Sequence, residues 1–112
     1  MKVIITIPAY NEERTIAKVI EEIKNAMKST KYNYQILVLD DGSKDNTVKL
    51  AKKAGAIVYS NNRNLGLAAT FREEIRQCLK LNADIIVHTD ADGQYAAEGI
   101  SRLIKKIEEG YD

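Results

Sequence analysis

The sequence has very little cysteine, proline or tryptophan. Its 112 residues include one cysteine, one proline and no tryptophan. The lone Cys78 excludes an intramolecular disulfide framework and a metal site built from several cysteines, and it is typical of a reducing compartment. A chain of this length has room for one compact domain and not for two. We therefore expect a single domain over residues 1–112 and a cytoplasmic location.

An excess of one charge and a long apolar run are also absent. There are 17 Lys and Arg residues against 16 Asp and Glu, a formal net charge of +1. That balance removes the electrostatic basis for nucleic acid as a main partner. No apolar run approaches the roughly 20 residues that span a bilayer, and the first residues lack the cleavage site of a signal peptide. Any membrane association is therefore expected to be peripheral.

Short apolar runs alternate with longer segments of helical periodicity. Runs rich in Ile, Val and Leu at 3–7, 36–39, 56–59 and 84–89 predict four strands buried on both faces. Helices that cover the sheet are predicted from apolar stripes at Ile16, Ile20, Ile23 and Met27, at Phe71, Ile75, Cys78 and Leu79, and at Ile100, Leu103, Ile104 and Ile107, with a shorter helix over 47–54 that ends at Gly55. This βαβαβαβα order predicts a Rossmann-like three-layer α/β/α sandwich with a mostly parallel sheet.

The unusual polar residues follow the first, second and fourth predicted strands. These segments are Pro-Ala-Tyr-Asn-Glu at 8–12, Asp-Asp-Gly-Ser at 40–43 and Asp-Ala-Asp-Gly-Gln at 90–94. In an open parallel sheet, ligands bind beyond the carboxyl ends of the strands, where the strand order reverses. The sequence therefore predicts a ligand site at this one rim.

Asp90 and Asp92 stand two residues apart at the end of an extended segment. Their side chains would leave the same face and converge, and two carboxylates at that distance repel each other unless a cation lies between them. Oxygen ligands of this kind suit Mg²⁺ or Mn²⁺ bound to a diphosphate. The alternative is an Asp-Gly turn in which Asp92 bonds its own backbone, which is the commoner meaning of an isolated Asp-x-Asp.

Asp40 and Asp41 point to opposite sides of a strand end. One can be satisfied inside the protein while the other faces the crevice, where a carboxylate accepts hydrogen bonds from a nucleobase or a ribose. Asp41 is the candidate for that contact. The alternative is a plain turn, in which Gly42 supplies a positive φ and Ser43 or Asp45 caps the next helix.

The turn after the first predicted strand, residues 8–13, is called the first turn and has both a structural and a functional interpretation. Asn11 is a good helix N-cap, and Glu12 and Glu13 suit the positive end of a helix. Pro8 stops the strand and leaves Tyr10 available to stack on a flat ring.

Two other reactive side chains have simpler interpretations. His88 has no second His or Cys nearby, which favours a histidine satisfied in the core or at the rim over a metal ligand. Cys78 lies on an apolar stripe and is expected to be a buried, inert thiol.

Together with Asn-Leu-Gly at 64–66, the three rim segments resemble, in order and spacing, the family-two glycosyltransferases of the GT-A fold, in particular the dolichyl-phosphate mannosyltransferase and polyprenyl-phosphate glycosyltransferase branch. The resemblance implies a GDP- or UDP-sugar donor, Mg²⁺ or Mn²⁺, and a polyprenyl (dolichyl) phosphate or glycan acceptor. It implies that the metal is held by Asp90, Asp92 and Gln94. The donor-binding residues that it implies are Pro8, Ala9, Tyr10, Glu12, Asp41, Asp90, Ala91 and Asp92.

Some positions depart from the family pattern. Ala68 stands where a glycine is common, and Ala96 and Ala97 replace prolines. Members of the family continue past a segment like 110–112 into strands that carry the acceptor site and the general base. The resemblance therefore implies a donor-binding half for which no catalytic residue can be named, with a sheet edge open to self-association. A non-catalytic nucleotide-binding module is the alternative.

Two further classes fit the alternation of strands and helices less well. A phosphoacceptor signalling domain would place its aspartate pair after the first strand, whereas the pairs here follow the second and fourth. A sugar nucleotidyltransferase would have a glycine-rich, basic phosphate loop after the first strand, and the segment 9–12 is acidic instead.

Overall fold

A computed structural model describes residues 2–28 and 30–89. The elements in chain order are β1 (Lys2–Ala9), α1 (Ile16–Lys28), β2 (Asn33–Asp40), α2 (Thr47–Lys53), β3 (Ile57–Ser60), α3 (Leu67–Lys80) and β4 (Ile85–His88). None of these three helices is both long and apolar enough to cross a membrane. The predicted alternation is confirmed as far as β4, and the predicted helix with Ile100, Leu103, Ile104 and Ile107 lies outside the described residues.

The four strands form one parallel sheet in the order β3-β2-β1-β4. Strand β1 is central, and its residue Val3 pairs with Tyr34 of β2 on one side and with Ile85 of β4 on the other. The chain builds outward from β1 through β2 and β3, and then crosses back to place β4 on the opposite side of β1. The strand order therefore reverses between β1 and β4, which is where open sheets of this class bind ligands.

Helices α1 and α2 cover one face of the sheet. The apolar stripe predicted for α1 is confirmed, since its four members are all buried against inward-facing residues of β1 and β2 such as Ile5 and Val38. Alternate residues along β1 face this core and the opposite one, so nearly the whole strand is buried. Burial on both faces explains why the strand is almost continuously apolar.

Helix α3 covers the other face, where Cys78 packs with Ile4, Leu37 and Leu39. The α/β/α layering is therefore confirmed. The expected inert thiol is confirmed as well, because Cys78 is fully buried. Burial, with a contribution from the charge of Glu74, raises the pKa of the Cys78 thiol to about 11.

The predicted apolar stripe of α3 is largely wrong. Phe71, Ile75 and Leu79 are 53%, 36% and 70% exposed, and the sheet-facing row consists of Thr70, Glu74 and Cys78 instead. Two adjacent rows of a helix have the same four-residue spacing, so periodicity alone does not decide which row faces the sheet. Here the more polar row faces inward, at the end of the sheet where the candidate site lies.

Candidate functional site

A crevice of about 450 Å³ opens beyond the carboxyl ends of the strands. Its walls contain residues of the first turn, the turn after β2, the start of α3 and the end of β4: Pro8, Ala9, Tyr10, Glu12, Asp41, Asn64, Gly66, Leu67, Thr70, His88 and Thr89. Five of the predicted donor-binding residues are therefore brought together, at 8, 9, 10, 12 and 41. The others, Asp90, Ala91 and Asp92, lie outside the described residues, as does Gln94.

The first turn does not continue directly into a helix. Helix α1 begins only at Ile16, so the expected role of Asn11 as its N-cap is wrong. Asn11 instead adopts a positive φ of 52°, and its side-chain Oδ1 accepts a hydrogen bond from the Lys44 N–H at 2.9 Å. Its own N–H donates to the Ser43 hydroxyl at 2.8 Å. A short polar side chain tolerates this backbone conformation when local hydrogen bonds support it.

Further hydrogen bonds fasten the first turn to the turn that leads into α2. The N–H of Glu12 donates to Oγ1 of the fully buried Thr47 at 2.8 Å. Glu13 exchanges bonds with this second turn: its N–H donates to Asp45 at 3.3 Å, and its carboxylate accepts from the Asn46 N–H at 3.1 Å. The acidic side chain of Glu13 thus lies at the start of α2 and not at the start of α1. The two turns form one unit, with Tyr10 41% exposed at its surface.

Asp40 is the structural member of its pair. It is 1% exposed, and its carboxylate accepts hydrogen bonds from the Ser60 hydroxyl at 2.7 Å and from the Ser43 N–H at 3.1 Å. The expectation that Ser43 or Asp45 caps α2 is wrong, because Asn46 occupies the N-cap and makes no side-chain cap hydrogen bond; Asp45 precedes it and accepts a hydrogen bond from the Thr47 N–H at 2.9 Å. Asp40 therefore ties β2 to β3, and Asp41 is the member of the pair that lines the crevice.

Asp41 also holds the start of α3, a role that nothing in its sequence pattern indicated. One carboxylate oxygen accepts from the Asn61 side chain at 2.9 Å and from the Leu65 N–H at 2.8 Å, and the other accepts from the Gly66 N–H at 2.9 Å. The segment Asn-Leu-Gly at 64–66 was a visible motif, but its partner depends on the loop conformation. The carboxylate that lines the crevice is thus fixed in place before any ligand enters.

These contacts set the acidity of Asp41. Burial alone would raise the pKa of its carboxyl group. The hydrogen bonds donated by the Leu65 N–H, the Asn61 side chain and the Gly66 N–H outweigh burial and lower the pKa below its ordinary value of 3.8. Asp41 is therefore ionised throughout the neutral range.

Asp41→Asn is expected to flatten the pH dependence of stability. Because the folded-state pKa lies below the unfolded value near 4, Asp41 stabilises the protein at neutral pH, and this contribution is lost as the pH falls below about 4 through the folded pKa. At pH 7 the amide should cost about 1–3 kcal/mol, since it leaves backbone donors poorly paired. Urea unfolding of both proteins from pH 7 to pH 3 measures the difference. Asp45, whose pKa is also lowered, titrates in both proteins. Parallel pH profiles would contradict the assignment.

His88 lies at the rim of the crevice, in agreement with the expectation from the sequence. Its side chain is 46% exposed, and its Nδ1 is 2.9 Å from a carboxylate oxygen of Glu74, whose side chain is 2% exposed. The ring also contacts Phe71 edge-on, with the ring centroids 6.2 Å apart.

The described part of the crevice does not form a metal site by itself. In residues 2–28 and 30–89, no three His, Cys, Asp or Glu side chains gather closely enough to hold an ion. Asp41 already accepts three hydrogen bonds. The ligands predicted from the sequence, Asp90, Asp92 and Gln94, are among the five residues that follow Thr89, which lines the crevice. Their role stays a prediction.

A parallel α/β/α sheet with its crevice at the point of strand reversal defines a class of nucleotide-binding folds. Within that class, the model of glycosyl transferase family 2 matches residues 4–112. The chain belongs to this family, and its fold is the GT-A fold expected from the motifs.

One relative is an undecaprenyl-phosphate 4-deoxy-4-formamido-L-arabinose transferase from Pseudomonas fluorescens strain Pf0-1. It is 34% identical over 114 residues, which cover 96% of this chain and 33% of the relative. Thus the chain spans about a third of the length of such relatives.

Two solved structures are similar to the chain in both sequence and fold. Glucosyl-3-phosphoglycerate synthase from Mycobacterium tuberculosis, in complex with Mn²⁺, UDP and glucosyl-3-phosphoglycerate, superposes with a TM-score of 0.64 at 30% identity, over 80% of this chain and 33% of that one. Mannosyl-3-phosphoglycerate synthase from Rubrobacter xylanophilus has a TM-score of 0.69 at 26% identity, over 91% and 34%.

Proposed function

We propose that the chain is the donor-binding part of a glycosyltransferase that takes a nucleoside diphosphate sugar and a divalent metal. One observation carries the proposal. The first turn, the Asp41 carboxylate and the end of β4 surround a single crevice of about 450 Å³ at the switch point of the sheet. That volume suits a small organic ligand held by a few convergent polar groups.

The nucleoside is assigned to the side of the crevice formed by the first turn and Asp41. Tyr10 presents an exposed ring on which a base can stack. Pro8, Ala9 and Glu12 line the same wall. Asp41 is ionised and held by three hydrogen bonds, which places a fixed negative charge where a base N–H or a ribose hydroxyl can donate.

The metal and the diphosphate are assigned to Asp90, Ala91, Asp92 and Gln94. Two carboxylates and an amide oxygen are the hard ligands that Mg²⁺ and Mn²⁺ prefer. The synthase from Mycobacterium tuberculosis has been crystallised with UDP and either of these ions. When bound, such an ion would stabilise the charge that grows on the departing nucleoside diphosphate. The role of Asp90 and Asp92 is to hold and orient, not to transfer a proton.

The acceptor is assigned to the polyprenyl phosphate class, because relatives of the chain are named for transfer to undecaprenyl phosphate. A protein that serves such an acceptor works at a membrane surface, and we assign it a peripheral, cytoplasmic position. Among the described strands, β4 pairs only with β1, so its outer edge can pair with a second copy of the chain.

Two measurements test the proposal. Calorimetric titration with UDP and with GDP in the presence of Mn²⁺ should show that one nucleotide binds clearly tighter, and failure of both to bind would overturn it. Incubation of a labelled nucleotide sugar with undecaprenyl phosphate then tests for transfer. Binding without product would favour the non-catalytic nucleotide-binding module.

A further inference from the structure

Glu74 and His88 form a hydrogen-bonded pair to which the proposed function assigns no role, and His88 lines the crevice. His88 lies at the end of β4, and Glu74 lies on the inward row of α3. Both carboxylate oxygens of Glu74 are within hydrogen-bond distance of His88 Nδ1, at 2.9 and 3.1 Å. The pair joins a buried side chain to one that is 46% exposed at the ligand site.

The Glu74–His88 pair is not expected to increase the stability of the fold. A carboxylate that is 2% exposed loses most of its hydration, and among the described residues its hydrogen-bond partner is the imidazole. Replacement of a buried ion pair by apolar side chains of similar volume is often neutral or stabilising, and Glu74 is the buried member of this pair. The adjacent members of the inward row, Thr70 and Cys78, show that smaller and less polar residues fit this face. The pair therefore calls for a functional explanation.

The hydrogen bond to Glu74 fixes how the imidazole is presented. A carboxylate oxygen accepts the hydrogen bond that Nδ1 donates, so an imidazole with a single N–H carries it on Nδ1. Nε2 then carries a lone pair and accepts, and no hydrogen bond to it is found in the described part of the chain. A carboxylate that holds Nδ1 in order to aim Nε2 is a recurring arrangement at functional histidines.

We propose that Glu74 positions His88 so that Nε2 accepts a hydrogen bond from a hydroxyl group of the bound nucleotide sugar. The proposal rests on the proposed function, because it needs such a ligand in the crevice. A hydroxyl is the matching group, since a phosphate at neutral pH offers Nε2 no proton to accept. The hydroxyl belongs either to the ribose or to the transferred sugar, and the two sources are separable by experiment.

His88→Asn is the matched variant. The amide nitrogen of asparagine can occupy the place of Nδ1 and donate to Glu74, whereas nothing replaces Nε2. Titration of wild type and variant with UDP and with UDP-glucose, in the presence of Mn²⁺, should show binding about three- to tenfold weaker in the variant, which corresponds to one neutral hydrogen bond. GDP and GDP-mannose replace these probes if the wild type prefers guanosine. A loss already present with the nucleotide alone assigns the contact to the ribose, and a loss confined to the nucleotide sugar assigns it to the sugar.

Glu74→Leu separates positioning from structural support. We expect nucleotide affinity to fall by a similar factor, because His88 is no longer held. The urea midpoint should stay level or rise, because the buried carboxylate is gone. Wild-type affinity in His88→Asn would overturn the inference and leave the proposed function intact. A parallel loss of stability and affinity in both variants would also overturn it, since that is the mark of a structural pair. Absence of nucleotide binding by the wild type would remove the proposed function and this inference together.

Discussion

Replacement of Gly42 by alanine is expected to destabilise the protein by about 2–5 kcal/mol, the sum of a strained backbone and an overpacked contact. Gly42 has a φ of +78°, a backbone conformation that residues with a Cβ rarely adopt. The added Cβ would lie 2.4 Å from the Arg63 carbonyl carbon and 2.7 Å from the Asn64 nitrogen. Both are backbone atoms of the loop that Asp41 holds, so relief of the clash must move that loop. Because Asn64 and Gly66 line the crevice, nucleotide affinity should fall as well.

Gly55→Ala is the matched control. Its φ is +98°, but the nearest atom to the added Cβ is the flexible Lys24 Nζ at 3.5 Å. Only the backbone cost of about 1–2 kcal/mol is expected there, and nucleotide binding should be unchanged because Gly55 does not line the crevice. Urea unfolding and nucleotide titration of both variants give the comparison. Equal effects of the two substitutions on stability and binding would contradict the close packing of the loop against Gly42.

The strands and the layering were predictable because they depend on simple periodic patterns. Strand β1 is buried on both faces, so its apolar character is continuous and its position follows from the sequence. The extent of β2 was less accessible. It begins at Asn33, three residues before the predicted start, because Asn33, Tyr34 and Gln35 pair with β1 through their backbones, which requires no apolar side chain.

The candidate site was predictable in its location but not in its internal contacts. The carboxyl ends of parallel strands lie at the same end of the sheet, so the sheet topology predicts that the first turn and Asp41 lie close together. The hydrogen bonds that Asp41 accepts from the Leu65 and Gly66 N–H groups depend on the conformation of a loop, which no periodic sequence pattern predicts. The same reason explains why Asn11 was assigned to the wrong partner. The inward row of α3 was not predicted, because an apolar row was expected to face the sheet and Thr70 and Glu74 are polar.

The second large effect is expected at Asp92, which we propose as a metal ligand. Asp92→Ala should weaken Mn²⁺-dependent nucleotide binding by more than about 100-fold, since even residues that only orient metal ligands are worth about 10–100-fold in affinity. Asp84→Asn is the control. It also removes a carboxylate, but one at the amino end of β4, so it lies at the opposite end of the strands from the crevice. The Asp84 carboxylate accepts a hydrogen bond from the Lys2 N–H at 2.6 Å.

Calorimetry with UDP and GDP, with and without Mn²⁺, on wild type, Asp92→Ala and Asp84→Asn tests the proposed metal-diphosphate site. The wild type and Asp84→Asn are expected to bind one of the nucleotides tightly when Mn²⁺ is present and weakly when it is withheld. Asp92→Ala is expected to bind weakly under both conditions. Equal binding by wild type and Asp92→Ala in the presence of Mn²⁺ would contradict a metal-diphosphate site at Asp90 and Asp92.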